Sequence, residues 1–249
     1  SCLAFAGRAM FMGEPAFVRG PVHTVLDPHY RGALSALIDP SHDMGMAEPG
    51  VLPMFRYAPQ KSHELHGTSH MTIVDDSGEV VSMTTTVEFV LGSEMMVKGF
   101  FLNNELTDFS FVPTRDGKPV ANAPAPGKRP LSAMAPTIVF DAKGRFRIAV
   151  GSPGGPAIIP YVAETLVAMI DGGLGPGAAA ALPHHVDVNG PLFLEADTPL
   201  VALAPALAAM SYDVRPTASE MSGLHIVERV TDGYIGAADP RRDGVALGD

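Results

Sequence analysis

The residue in this chain best placed to do chemistry is Thr68, in Gly67-Thr68-Ser69-His70 at the head of the strand-like run Met71-Thr72-Ile73-Val74. A threonine hydroxyl is a weak nucleophile unless a base sits beside it. Cutting the chain just before the residue supplies such a base, the freed α-amine of the threonine itself. That amine has a reference pKa of about 7.7–8.0, so a useful fraction is neutral near pH 7. Taken alone, a Gly-Thr pair is most often only a turn entering a strand.

Two strand patterns follow Thr68, joined by Asp75-Asp76-Ser77-Gly78, a turn signal with glycine available for positive φ. If the loop is Asp76 to Gly78, Asp75 faces Glu79 and Thr68 lies opposite Thr86, within Val81-Ser82-Met83-Thr84-Thr85-Thr86. A loop one residue shorter pairs Thr68 with Thr85 instead. A hydroxyl opposite the nucleophile is able to hydrogen-bond it. Threonines also favour strands and pair across them for packing alone.

Attack on an amide carbonyl creates an oxyanion, which needs preorganised donors. Gly151-Ser152-Pro153-Gly154-Gly155 ends a strand pattern and Pro156 opens a helix, so the Gly154 and Gly155 N–H groups fall near a helix N-terminus, where anions are favoured. Glycine there lets the backbone approach a reacting carbon closely. Glu105 and Asp108 stand three apart in Asn103-Asn104-Glu105-Leu106-Thr107-Asp108, a spacing that puts both carboxylates on one side of a helical turn. By themselves these stretches also read as an ordinary strand-to-helix turn and a solvated acidic loop. His63, His66 and His70 match no common zinc spacing and straddle the cut, so they read as solvated or hydrogen-bonding imidazoles. The lone Cys2 excludes an internal disulfide and reads as a small buried filler, not a catalytic thiol.

The elements that must position these residues read as an α/β chain. Ser1–Met12 and Pro28–Ile38 read as helices, the second with Asp27 as N-cap and Pro28 at its first position. Residues 40–61 are loop-like, with Gly45, Pro49, Gly50, Pro53 and Pro59, and suit an exposed connector to the cut. Strands are expected around 69–75, 79–90, 99–103, 136–141, 145–151, 223–230 and 234–238. Pro156–Ile170 is apolar enough for a buried helix ended by Asp171-Gly172-Gly173, and a further helix is expected near 199–210. Strand runs with helices grouped between them fit two stacked sheets flanked by helices. At 249 residues and 46% hydrophobic composition the chain has the make-up of a globular enzyme. A net charge of −10, from 17 basic and 27 acidic residues, argues against nucleic acid and anionic membranes as partners. No apolar run approaches the length of a membrane span.

Gly67-Thr68-Ser69-His70, Leu102-Asn103-Asn104-Glu105-Leu106-Thr107-Asp108-Phe109-Ser110, Gly127-Lys128-Arg129-Pro130-Leu131-Ser132, Gly151-Ser152-Pro153-Gly154-Gly155 and Gly236-Ala237-Ala238-Asp239-Pro240-Arg241 occur in that order. Together they closely resemble the γ-glutamyltransferase (γ-glutamyltranspeptidase) family of N-terminal-nucleophile hydrolases. The resemblance covers essentially the whole chain and implies the αββα sandwich of that superfamily. Residues 68–249 look like the small catalytic subunit, and residues 1–67 like the end of a large subunit whose remainder is the implied partner. The family's roles carry over as Thr68 the nucleophile, Thr86 its hydroxyl partner, and Gly154 and Gly155 the oxyanion hole. Glu105 and Asp108 would meet the α-ammonium of a γ-glutamyl group and Ser132 its α-carboxylate, while Arg129 reads as structural. The implied reaction is hydrolysis of a glutathione-like γ-glutamyl donor, or transfer to an amino-acid or peptide acceptor, with no cofactor and no metal. Autocatalytic cleavage at Gly67–Thr68 and a periplasmic or secreted location are also implied.

Two departures bear on substrate. Many members have a Ser pair after Arg-Pro-Leu where this chain has Ser132-Ala133. Many carry Asn two residues after the second catalytic Thr, where this chain has Glu88, a substrate-pocket position by that match. A carboxylate there does not donate to an α-carboxylate and repels it. Related cephalosporin (glutaryl) acylases use the same nucleophile on another acyl chain, so the alternatives are a glutaryl-type acylase or a non-catalytic piece lacking the rest of its pocket. His184-His185 after Pro183 resembles a structural family stretch.

Overall fold

The computed structural model describes residues 1–52, 54–60, 67–217 and 222–248. They form two compact units, each assembled from segments distant in sequence. The first takes its described residues from Ser1–His63, Glu105–Ser132 and Asp187–Pro216; the second takes them from Glu64–Asn104, Ala133–Val186 and Thr217–Asp249.

In the first unit, α1 (Cys2–Phe11) buries Phe5, Ala6 and Phe11, and Phe11 meets Phe55 edge-on at 6.3 Å. After the short α2 (Val22–Leu26), Asp27 caps α3 (Pro28–Ser35), its carboxylate accepting from the His29 and Tyr30 N–H groups at 2.9 and 3.1 Å. This is the cap and first-position proline read from sequence. The helix stops at Ser35, short of Ile38, because Leu37 and Ile38 are exposed and offer no burial to extend it. The helix read near 199–210 is a 3₁₀ turn (Pro199–Leu203) running into an α-helix (Ala204–Ala209). Glu105–Asp108 is a single 3₁₀ turn.

The second unit is built on two facing antiparallel sheets. β1 (Thr68–Val74) and β2 (Val80–Thr86) make a hairpin. β3 (Thr137–Phe140), β4 (Phe146–Gly151), β5 (His225–Val230) and β6 (Gly233–Ala238) make a four-stranded sheet in the order β6-β5-β4-β3. The hairpin register is set by its turn. The Asp75 carboxylate accepts from the Ser77 and Glu79 N–H groups, both at 2.9 Å, and Gly78 takes φ 83°. The loop is Asp76–Gly78, and Thr68 pairs with Thr86, not Thr85.

Gly151 of β4 faces the hairpin, against the His70 ring, so strand alternation turns Ile148 and Val150 to the opposite face. There α4 (Ile158–Ile170) and α5 (Pro176–Ala180) cover the sheet. Ile148, Val150, Leu224 and Ile226 are at most 1% exposed, each worth roughly 1.5–3 kcal/mol of apolar burial. The outer face of the hairpin is open: Met71, Ile73, Val81 and Met83 are all exposed. β2 ends at Thr86 and not near Val90, because Glu88 takes φ 75°, outside the strand region. Among the described residues no helix is long and apolar enough to cross a membrane.

Candidate active site

Thr68 opens β1, and its side chain is buried. Gly67 before it lies against the segment that follows β2: a Cβ at Gly67 would stand 2.6 Å from Glu88 O and 2.8 Å from Phe89 O. Glycine is therefore required at the expected cut by the approach of a second backbone. That segment is clamped by Asn104, whose N–H donates to Val87 O (3.1 Å) and whose Oδ1 accepts from the Phe89 N–H (2.9 Å). Between the two bonds sits Glu88, buried and in the left-handed region. The Thr86 hydroxyl oxygen accepts from the Glu88 N–H at 2.8 Å, so Thr86 keeps its own proton to donate.

The oxyanion candidates belong to the same unit. Gly154 (φ 137°) and Gly155 (φ 55°) both need glycine's freedom, and a Cβ on Gly154 would meet Tyr161 Cε2 at 2.6 Å. Both are buried, and among the described residues neither N–H has a hydrogen-bond acceptor. Unpaired buried N–H groups are rare. Here they lie just ahead of α4, as an oxyanion site needs.

His70 sits between the sheets. Its Nδ1 bonds Thr84 Oγ1 at 2.8 Å and its Nε2 bonds Thr72 Oγ1 at 3.1 Å. Burial, and then the neighbouring His225, pull its pKa down to about 4, so the ring is neutral at physiological pH. It packs as core, which agrees with the hydrogen-bonding role read for it; His63 and His66 lie outside the described residues. His184 is buried against Tyr161, ring centroids 4.4 Å apart, and shares Glu164 with His185, a structural role.

Sequence reasoning assigned no role to the C-terminal residues that tie this unit together. Buried Asp239 accepts from Ser222 Oγ (2.7 Å), the Leu224 N–H (3.2 Å) and Arg241 through both its N–H and Nη1 (2.9 Å each). Burial pushes its pKa up, but these donors outweigh it and hold the carboxyl below its usual value. Arg242 donates from Nε to Ser222 O (3.0 Å) and from Nη1 to Thr68 O (3.4 Å). The strand that Thr68 opens is thus tethered to the segment that follows β6. Nothing local in Asp-Pro-Arg-Arg announces a contact with a residue 174 positions away.

The remaining candidates belong to the first unit. Glu105 and Asp108 share the 3₁₀ turn and Ser132 is exposed. Asn122, which sequence reading also missed, joins these motifs: Nδ2 donates to Asp108 O (2.7 Å), and Oδ1 accepts from the Leu131 N–H (2.8 Å). Arg129 closes its fork on Glu14 at 2.7 and 2.9 Å, the structural part read for it. The Cys2 thiol donates to Asp187 (2.7 Å), and burial followed by that carboxylate raises its pKa to about 11, which suits no catalytic thiol.

Comparison with known proteins identifies the family. The family model described as Gamma-glutamyltranspeptidase matches residues 1–249. The "Glutathione hydrolase proenzyme" of Pseudomonas aeruginosa is 33% identical over 98% of this chain, which spans 44% of that protein. The "Acylase ACY 1 proenzyme" of Pseudomonas sp. strain SE83 is 32% identical over 98% of the chain, which spans 41% of it. The chain is therefore less than half as long as these relatives. Among solved structures, the gamma-glutamyltranspeptidase from Pseudomonas nitroreducens complexed with L-DON superposes with a TM-score of 0.65 at 32% identity, covering 73% of this chain and 99% of that one. The fold is the α/β, N-terminal-nucleophile type that the resemblance implied, and a match along the whole sequence means that this chain belongs to the gamma-glutamyltranspeptidase family.

Proposed function

We propose that this chain carries the nucleophile and acyl-binding part of an enzyme that hydrolyses glutathione-like γ-glutamyl amides or transfers their γ-glutamyl group. The observation that supports it best is the pairing of buried Thr68 with Thr86 in the unit that also holds Gly154 and Gly155, whose N–H groups have no acceptor among the described residues. Cleavage at Gly67–Thr68 would free the Thr68 amine, leaving residues 68–249 as the small subunit and 1–67 as the end of the large one. The neutral amine then takes the Oγ1 proton as Oγ1 attacks the γ-carbonyl carbon. The oxyanion is held by the two glycine N–H groups and collapses to expel the amine half of the donor, which leaves with that proton. The resulting γ-glutamyl ester on Thr68 is resolved by water or an acceptor amine. Thr86 would donate to the nucleophile oxygen. Glu105 and Asp108 would meet the α-ammonium, with Ser132 and Glu88 beside the head group. The open face of β1 and β2 suits cover by the remainder of the large subunit.

A second reading, a glutaryl-type acylase, is favoured by one observation: the chain is about as similar to the "Acylase ACY 1 proenzyme" (32% identical) as to the "Glutathione hydrolase proenzyme" of Pseudomonas aeruginosa (33%). In the full-length protein, Thr68→Ala is expected to remain a single chain and lose turnover of γ-glutamyl anilide. Normal processing of that variant would remove Thr68 from the mechanism. Wild-type turnover of glutaryl anilide above γ-glutamyl anilide would favour the second reading, and turnover of neither would mark a binding or structural piece.

A further inference from the structure

Asn122 is 1% exposed and uses its main chain and both side-chain polar atoms. Its carbonyl accepts from the Ser110 N–H (3.0 Å), its Nδ2 donates to Asp108 O (2.7 Å), and its Oδ1 accepts from the Leu131 N–H (2.8 Å). Its own place is held from either side. Lys128 Nζ donates to Ala121 O and Ala123 O at 2.7 and 2.8 Å, and Gly13 approaches so closely that a Cβ there would stand 2.6 Å from Ala121 O. One planar amide in a nearly water-free setting therefore spans two stretches of chain, one ending in Asp108 and one running into Ser132. A one-turn 3₁₀ helix such as Glu105–Asp108 has few bonds of its own to fix its last carbonyl.

We propose that Asn122 is a positioning residue for the amino-acid head of the donor: by spacing Asp108 against Leu131-Ser132 it sets the gap into which ammonium and carboxylate fit together. The proposal rests on the reading of Asp108 and Ser132 as head-group ligands. Among the described residues the Asn122 side chain hydrogen-bonds only to backbone groups. Its amide fixes both distance and direction, because donor and acceptor diverge from one rigid plane. Removing it takes this partner from the part-buried Asp108 carbonyl and Leu131 N–H.

The test uses the full-length protein with γ-glutamyl anilide and glutaryl anilide; the second keeps a carboxylate but lacks the ammonium. Asn122→Ala is expected to raise KM for γ-glutamyl anilide about tenfold, with kcat changed less than about threefold. The Gly67–Thr68 cut should proceed as in wild type, and KM for glutaryl anilide should move less than about twofold. Asn122→Asp keeps the acceptor for Leu131 but not the donor to Asp108, so it should raise the same KM, and it carries the test if the alanine variant does not fold. Equal KM changes for both donors, or a wild-type KM in Asn122→Asp, would overturn the proposal. Asp108→Ala separates the two levels. If it leaves KM unchanged, the head-group reading itself fails; if it raises KM and the Asn122 variants do not, only this inference does.

Discussion

Gly151 lies flat against the imidazole of His70, so close that a Cβ built on the glycine would overlap the ring. The two residues join the sheets of the second unit at a point with consequences at both ends. His70 is two residues from Thr68, and Gly151 is the last residue of β4 before the Ser152-Pro153-Gly154-Gly155 turn. This ring-on-glycine contact, with Ser82 Oγ donating to Val150 O (3.4 Å), helps to set the spacing between the strand that Thr68 opens and the turn at Gly154 and Gly155. Gly151→Ala is expected to cost about 1–3 kcal/mol, the usual penalty of overpacking. Denaturant midpoints of the wild type, Gly151→Ala and Gly151→Ala/His70→Ala check it. Because the double variant removes the overlap, its loss should fall short of the sum of the two single losses. Additive losses would mean that the two residues act independently.

The same ring makes stability depend on pH. His70 is neutral in the folded chain because burial, with His225 nearby, lowers its pKa to about 4, whereas an unfolded histidine titrates near about 6.5. The unfolded state therefore binds the proton first as pH falls. The contribution is fully present above about pH 6.5 and is lost progressively down to about pH 4, with an upper size on the order of 3 kcal/mol. Urea midpoints at pH 7, 5.5 and 4.5 should fall in the wild type, and fall less in His70→Gln, whose amide has no proton to gain. Parallel falls in both proteins would place the acid sensitivity elsewhere.

What could be read before the structure, and what could not, divides by range. The Thr68–Thr86 pairing was legible as one of two registers, because a hairpin register follows from its loop, and the Asp75 carboxylate on the Ser77 and Glu79 N–H groups selects it over Thr85. The strand-to-helix turn at Gly154 and Gly155 was legible because a strand, two glycines and a proline ahead of an apolar run admit few geometries; the oxyanion role read for it came from the family resemblance. The early end of β2 was not. Val87, Phe89 and Val90 continue the apolar pattern, and the turn at Glu88 depends on the Asn104 clamp, 15 residues from Phe89, together with the Thr86 hydroxyl on the Glu88 N–H. Asn122 in Ala-Asn-Ala looks like any turn, and its partners lie 14 and 9 residues away on opposite sides. Elements of two to five residues, such as α2 and α5, are too short to show a period. The roles of Glu105, Asp108 and Ser132 came from the family resemblance; their spacing alone is equally that of a solvated turn.

Glu88 combines two costs that one substitution should relieve. Its φ of 75° is strained for a side chain with a Cβ, and asparagine tolerates that region better than glutamate. Glu88 is only 3% exposed, so on the proposed reading, with the donor's head group beside it, repulsion of the α-carboxylate would be poorly screened. Glu88→Asn is therefore expected to raise the melting temperature, by the equivalent of about 0.5–1 kcal/mol. It should also raise kcat/KM for γ-glutamyl anilide, by about tenfold if one poorly screened charge contact is removed. Thermal melts and steady-state kinetics on the processed full-length enzyme check both halves. A rise in stability with a fall in γ-glutamyl turnover would give Glu88 the opposite role, a ligand pairing with the donor's ammonium. The place that asparagine holds in many relatives would then have been turned, in this chain, toward the other charge of the same head group.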